Sequence, residues 1–183
     1  TLKHSAIKGN MRLFEGIQEM HQNQVCHLDI KPGNILVDSE LNIKFCDFGY
    51  QDFLAKVLYK NVARVRSTPA YLAPEAIFNL PIETQEIIAV DLWALGCLIY
   101  ELIFGKPLFF KAKGIQQLGS MIFLLFESQF NELKMSQNVL DNIIRECPVI
   151  EESLREIKHN FSWLENEDHE LWSLINTLLS AKP

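Results

Sequence analysis

Four side chains on a short stretch of this chain have the types and spacing to move a phosphoryl group. The run His27-Leu28-Asp29-Ile30-Lys31-Pro32-Gly33-Asn34 places a carboxylate, an ammonium and an amide at successive offsets of two and three residues. Asp47-Phe48-Gly49 begins thirteen residues after Asn34. Asp29 is a candidate general base, because a hydroxyl attacking a phosphate needs an acceptor for its proton. Lys31 would offset the negative charge that develops on that phosphate. Asn34 and Asp47 offer a neutral and an anionic oxygen, hard ligands suited to Mg²⁺, which orients phosphate oxygens and neutralises their charge. Taken singly, Asp29 and Asn34 beside Pro-Gly, or Asp47-Phe48-Gly49, read as ordinary turns. The signal lies in the two together, in this order.

The elements that must hold these residues follow from periodicity. Ile7, Met11, Phe14, Ile17 and Met20 recur at three- and four-residue steps, which predicts an amphipathic helix over 5–22. Short, largely apolar runs at 25–27 and 34–37 suit strands on either side of the Pro-Gly loop. Residues 38–40 form a turn, and 41–45 alternate apolar and polar residues as a half-buried strand does. Residues 49–68 lose the pattern and gather Lys56, Lys60, Arg64 and Arg66 against Asp52, which predicts a long surface loop. Pro69 and Pro74 end it, and a short helix is expected at 75–78. Residues 87–104 are apolar on most sides, the mark of a buried helix, and Gly105-Lys106-Pro107 stops it. A further helix is expected at 114–126. Residues 127–167 are polar and rich in carboxylates, with helices at 137–145 and 151–159, and read as a solvated insertion in preference to a docking surface for a regulator or substrate. The last helix, over 168–180, shows Leu171, Leu174, Ile175, Leu178 and Leu179 on one face, with Asp168 near its start. The fold class is mainly α with a few short β-strands.

Composition bounds the rest. The 183 residues are 48% hydrophobic and 22% charged, which describes one folded domain with a sizeable core. A net charge of −6 argues against a nucleic-acid surface. Cys26, Cys46, Cys97 and Cys147 are scattered without a C-x-x-C pair, so reduced thiols and an intracellular, cytoplasmic setting are expected. No signal peptide is recognised at the start. No charge-free apolar run reaches the roughly 18 residues of a membrane span; residues 87–104 carry Asp91 and Glu101 and read as a core helix.

The loop and turn resemble the H-x-D-x-K-P-x-N catalytic loop and D-F-G turn of eukaryotic protein kinases, in the same relative spacing. Lys31 is the serine/threonine-kinase letter. Thr68-Pro69-Ala70-Tyr71-Leu72-Ala73-Pro74-Glu75 resembles the end of the activation segment in that family, and Asp91-Leu92-Trp93-Ala94-Leu95-Gly96 the start of its central buried helix. The stretch from Trp172 to Pro183 resembles the last characteristic part of the domain. The resemblance implies a C-terminal kinase lobe spanning 1–183, with an insertion at about 127–167. It implies transfer of the ATP γ-phosphate to Ser or Thr hydroxyls of protein substrates, with ATP and Mg²⁺ as cofactors. Asp29 and Lys31 would be catalytic, and Lys31, Asn34, Leu36 and Asp47 would face the nucleotide and metal. Thr68 would approach Asp29 and Lys31, and Glu75 and Gly49 would shape the substrate segment. Asp91 would hold the backbone of the catalytic loop, since an isolated Asp in so apolar a helix is costly unless paired. His27 and Phe48 would stack. Leu36, Leu98 and Leu102 would form a column ending under the adenine ring, and they read as core residues in any case. Trp93 and Trp172 read as core packing.

Three departures qualify the match. Nothing resembles the Gly-rich loop, the ATP-positioning Lys or its partner Glu, so the chain reads as a lobe lacking its N-lobe partner in cis and inactive alone. The Arg that usually pairs with the Glu75 position is not matched by Arg145 or Arg155. Leu28 replaces the usual Arg, which in the family meets a phosphate on the activation segment; Leu forms no charge-assisted hydrogen bond. The alternative to an enzyme is a pseudokinase serving as a binding or scaffold module.

Overall fold

The computed structural model describes residues 2–40, 42–48, 69–74, 87–110, 121–122 and 148–180. The expected loop over 49–68 and the expected helix at 137–145 lie outside the described residues, as do the short helix at 75–78 and all of the 114–126 helix but Met121 and Ile122.

Helix α1 runs Leu2–Gln22, three residues longer at its start than periodicity suggests. Leu13 and Ile17, one turn apart, are buried, while Glu15, Gln18 and Glu19 face solvent. Its end is a Schellman cap: Val25 N donates to Met20 O at 2.9 Å and Gln24 N to His21 O at 3.0 Å. Gln24 takes the left-handed conformation, φ 59°, that this cap requires and that glycine usually supplies.

Residues 25–27 do not form the expected strand. Their polar backbone is used elsewhere: Val25 closes the helix cap and His27 N donates to a side chain. A single turn of 3₁₀ helix, Pro32–Asn34, leads instead into β1, Ile35–Val37. β1 pairs antiparallel with β2, Ile43–Phe45, with Ile35 opposite Phe45 and Val37 opposite Ile43. Asp38 ties the connection. Its Oδ1 accepts from Glu40 N (2.9 Å) and Asn42 N (2.8 Å), and its Oδ2 from Asn42 Nδ2 (2.9 Å). Arg12 Nη1 reaches over from α1 to Glu40 O at 2.8 Å.

Helix α2, Ile87–Phe104, has the bounds that its composition predicts. Its length and hydropathy would fit a membrane span, yet ten of its 18 residues are buried inside the molecule. Trp93, Leu95, Leu98, Ile99 and Tyr100 fill the core, and Trp93 stacks on Phe109 with ring centroids 6.4 Å apart. Gly105, at φ 73°, ends the helix as the sequence predicts, its N donating to Glu101 O at 2.8 Å.

Helix α3, Pro148–Glu167, corrects the expectation of a solvated stretch over its residues. Ser153, Leu154, Ile157 and Leu164 are buried. Asn160 Nδ2 donates to Tyr100 Oη at 2.7 Å, and Lys106 pairs with Glu156. The helix expected at 151–159 is present and extends beyond that range at both ends, with one buried stripe. Helix α4, His169–Leu178, starts at Asp168, whose side chain accepts from Leu171 N as an N-cap. α4 lies close against α2: a Cβ on Gly96 would come within 2.9 Å of Leu179 Cδ2 and 3.1 Å of Leu178 Cβ. That approach explains a glycine in the middle of a buried helix.

Of the three leucines expected in the core, only Leu98 is there. Leu36 is 56% and Leu102 59% exposed. Leu36 lies on a two-stranded ribbon beside Val37, which is just as exposed, so the end of β1 is open on both faces. Leu102 sits near the end of α2, beyond the part enclosed by its neighbours.

Candidate active site

The polypeptide around Asp29 is fixed from three directions. From α2, the fully buried Asp91 accepts Leu28 N on Oδ1 at 2.7 Å and His27 N on Oδ2 at 2.8 Å. From the end of α1, His21 Nε2 lies 3.0 Å from the same Oδ2. From the β-ribbon side, Cys46 O accepts from His27 Nε2 at 3.0 Å. Since Asp29 N donates to His27 Nδ1 at 3.3 Å, the imidazole is the neutral form protonated on Nε2. Its ring packs against Phe48 at a tilt of 38°, with 4.8 Å between centroids, and meets the edge of Phe45 at 5.9 Å.

This clamping holds a costly backbone. Leu28 has φ 65° and Asp47 φ 63°, left-handed values that non-glycine residues seldom take. They flank the site on its two sides. Leu28 N donates to Asp91 from that conformation, and the residue after Asp47 packs against His27.

The chemistry-bearing groups converge as the sequence suggests for the loop. Asp29 is 4% exposed. Its Oδ2 accepts from Lys31 Nζ at 2.6 Å and from Asn34 Nδ2 at 3.0 Å, and its backbone O accepts from the same Nδ2 at 2.8 Å. Its Oδ1 is buried and has no hydrogen-bond partner among the described residues. A buried acceptor without a donor is uncommon in native proteins. Asn34, itself buried, commits its amide nitrogen to Asp29, which leaves its carbonyl oxygen as the free end. Asp47 is exposed and makes no hydrogen bond among the described residues. A neutral and an anionic oxygen at these positions fit a hard divalent cation such as Mg²⁺.

Gly49, Thr68 and Glu75 lie outside the described residues. Leu36 follows this loop on β1 with its side chain open. Two residues that sequence reasoning missed belong with the site's support. His21 closes the third bond to Asp91; its signal was the one basic residue in the last turn of α1, six residues before His27. Glu101 accepts a hydrogen bond from Tyr71 Oη, which joins the Pro69–Tyr71 turn to α2. Burial and this carboxylate push the Tyr71 hydroxyl well above its ordinary range. A second carboxylate inside an otherwise apolar helix was its signal.

The described residues form a mainly helical unit with a two-stranded ribbon beside this loop. In comparison with known proteins, residues 3–183 match the protein kinase domain family model. The chain belongs to the protein kinase domain family. It is 40% identical over 117 residues to glycogen synthase kinase 1 of Pyricularia oryzae, covering 62% of this chain and 28% of that protein. It is 38% identical over 134 residues to the serine/threonine-protein kinase RIM11/MSD1 of Saccharomyces cerevisiae, 72% of this chain and 35% of that protein. A mitogen-activated protein kinase homolog of Nicotiana tabacum, NTF6, is 34% identical over 122 residues, 67% and 32% respectively. The chain thus spans about a third of the length of these relatives.

Proposed function

We propose that the protein carrying this chain is a serine/threonine protein kinase, transferring the γ-phosphate of ATP to a protein hydroxyl. The observation that carries this reading is Asp29 Oδ1, buried, without a hydrogen-bond partner among the described residues, and held in place through Oδ2 by Lys31 and Asn34. A Ser or Thr hydroxyl donating to Oδ1 completes that atom's hydrogen bonding. As its oxygen bonds to the γ-phosphorus, the bond from phosphorus to the bridging oxygen of ADP breaks, and the hydroxyl proton passes to Asp29. Lys31, anchored on the other carboxylate oxygen, stands where it can offset charge on the transferred group. Asn34 and Asp47 would hold Mg²⁺, which when bound neutralises and orients the phosphate oxygens. The names of the relatives and the Lys31 letter support a Ser/Thr acceptor.

Leu28 gives this kinase its second property. It presents no charge for a phosphate on the activation segment, so activity does not depend on phosphorylation there in the usual way, through that arginine. Both parts are tested on the protein carrying this chain, with Mg-ATP and a Ser/Thr peptide. Asp29→Asn should lower kcat by about 10²–10⁴, the usual share of a general base, and phosphatase treatment of the wild type should leave kcat unchanged. An Asp29→Asn protein with unaltered kcat would sink the catalytic reading, and a phosphatase-sensitive wild type the regulatory one. Binding of partners without any transfer would favour a scaffold instead.

A further inference from the structure

His21, Cys26 and Asp91 bring three different metal-ligating atoms together behind the catalytic loop. One ring nitrogen, one sulfur and one carboxylate oxygen all lie within 4.8 Å of one another. Asp91 is fully buried, Cys26 is 6% exposed, and His21 opens to solvent on 14% of its side chain. Cys26 is a free thiol, and its sulfur makes no hydrogen bond among the described residues. The three come from separate places, the last turn of α1, the segment after its cap, and α2, so the cap geometry at Gln24 is what folds Cys26 back beside His21.

We infer that this cluster is a site for a zinc-class divalent cation. Nitrogen, sulfur and oxygen donors in one set suit Zn²⁺, whereas Mg²⁺ and Ca²⁺ select oxygen alone. The partly open edge of His21 leaves room for a water as fourth ligand and gives the path of entry. Binding is an exchange: the single N–H proton of the neutral His21 ring moves by way of solvent from Nε2 to Nδ1, the Nε2 lone pair takes the cation, and the Cys26 thiol loses its proton to solvent. Because Oδ2 also accepts His27 N at 2.8 Å, the cation, taking the place of the His21 proton, and the amide share one oxygen. The site is therefore joined to the loop that carries Asp29 through one carboxylate.

Cobalt is the probe, since a Co²⁺–thiolate bond gives a near-ultraviolet charge-transfer band. Titrating the chain with Co²⁺ should yield that band with one equivalent, and Zn²⁺ should abolish it by displacement. Cys26→Ser should remove the band, His21→Ala should weaken binding by more than about tenfold, and Cys46→Ser should leave both unchanged. X-ray absorption on the zinc-loaded wild-type chain needs no variant to fold: it should show one sulfur near about 2.3 Å with nitrogen and oxygen near about 2.0 Å. A shell of nitrogen and oxygen alone, a band that survives Cys26→Ser, or a band lost in Cys46→Ser overturns the assignment.

Discussion

Removing the Asp91 carboxylate tests the framework of the site most directly. Asp91→Ala leaves the amides of His27 and Leu28 without their acceptor, in a place where the carboxylate itself is fully buried. Each stranded amide costs about 1–3 kcal/mol. Freeing Leu28 from its left-handed conformation returns about 1 kcal/mol. The bond from His21, which is partly open to water, adds little. A net loss of about 1–5 kcal/mol is expected, large against the ~5–15 kcal/mol that holds a typical domain together. Asp91→Asn keeps one oxygen and turns an amide NH₂ toward the other backbone N–H, so it strands one amide and costs about 1–3 kcal/mol. The measurement is urea unfolding of the chain followed by far-ultraviolet circular dichroism. The midpoint should fall in the order wild type, Asn, Ala, with the slope unchanged. A loss below about 1 kcal/mol for Ala, or an Asn variant indistinguishable from wild type, would refute the claim that this carboxylate holds the loop.

Three further outcomes follow from the same geometry. Gln24→Gly relieves the left-handed residue of the α1 cap and should raise stability by about 0.5–1 kcal/mol, read as an increased urea midpoint; a lower midpoint would mean the cap is not formed. Gly96→Ala drives a methyl into Leu178 and Leu179 and should cost about 1–3 kcal/mol despite the better helix propensity of alanine, read as a lower Tm; a Tm equal to wild type would contradict the close approach of α4. The bonds from Asn42 and Glu40 hold the Asp38 carboxyl below its ordinary value of 3.8, with the Asn42 side chain the largest cause. A depressed folded pKa contributes stability that is complete above the unfolded value and disappears as pH falls through the folded one. Below about pH 4 the wild type should therefore lose stability that Asp38→Asn never had, and parallel acid-unfolding curves for the two would count against it.

Local pattern was enough where one residue type answers to one local requirement. The bounds of α2 were legible because an apolar run meets Gly105 at its end. The convergence of Asp29, Lys31 and Asn34 was legible because a short loop leaves their side chains little freedom to separate. What escaped was decided by tertiary partners. Val25 to His27 looks like a strand, but a cap and the distant Asp91 claim its amides before any neighbouring strand can. Leu36 and Leu102 look like core, yet composition does not tell which end of a ribbon or of a helix is covered. The charges of α3 point to solvent because its buried stripe, with Leu154, Ile157 and Leu164, is narrow.

The same distinction between backbone and side chain bears on the one unusual letter in the catalytic loop. The position of Leu28 has two separable duties. Its backbone N–H donates to Asp91 Oδ1 at 2.7 Å from a left-handed conformation, and this fixes the path of the chain into Asp29. Any residue other than proline has that N–H, so the duty survives exchange of Arg for Leu. The guanidinium of the usual Arg serves a different purpose, contact with a phosphate on another segment, and that alone is lost. Among the described residues, no hydrogen bond that orients Asp29 involves the Leu28 side chain: Oδ2 is held by Lys31 and Asn34, and the backbone N–H of Asp29 by His27. With Asp29 as the base proposed above, the loop keeps that acceptor in place without the arginine. On that reading the substitution would separate phosphoryl transfer from its usual switch, and activity would withstand phosphatase.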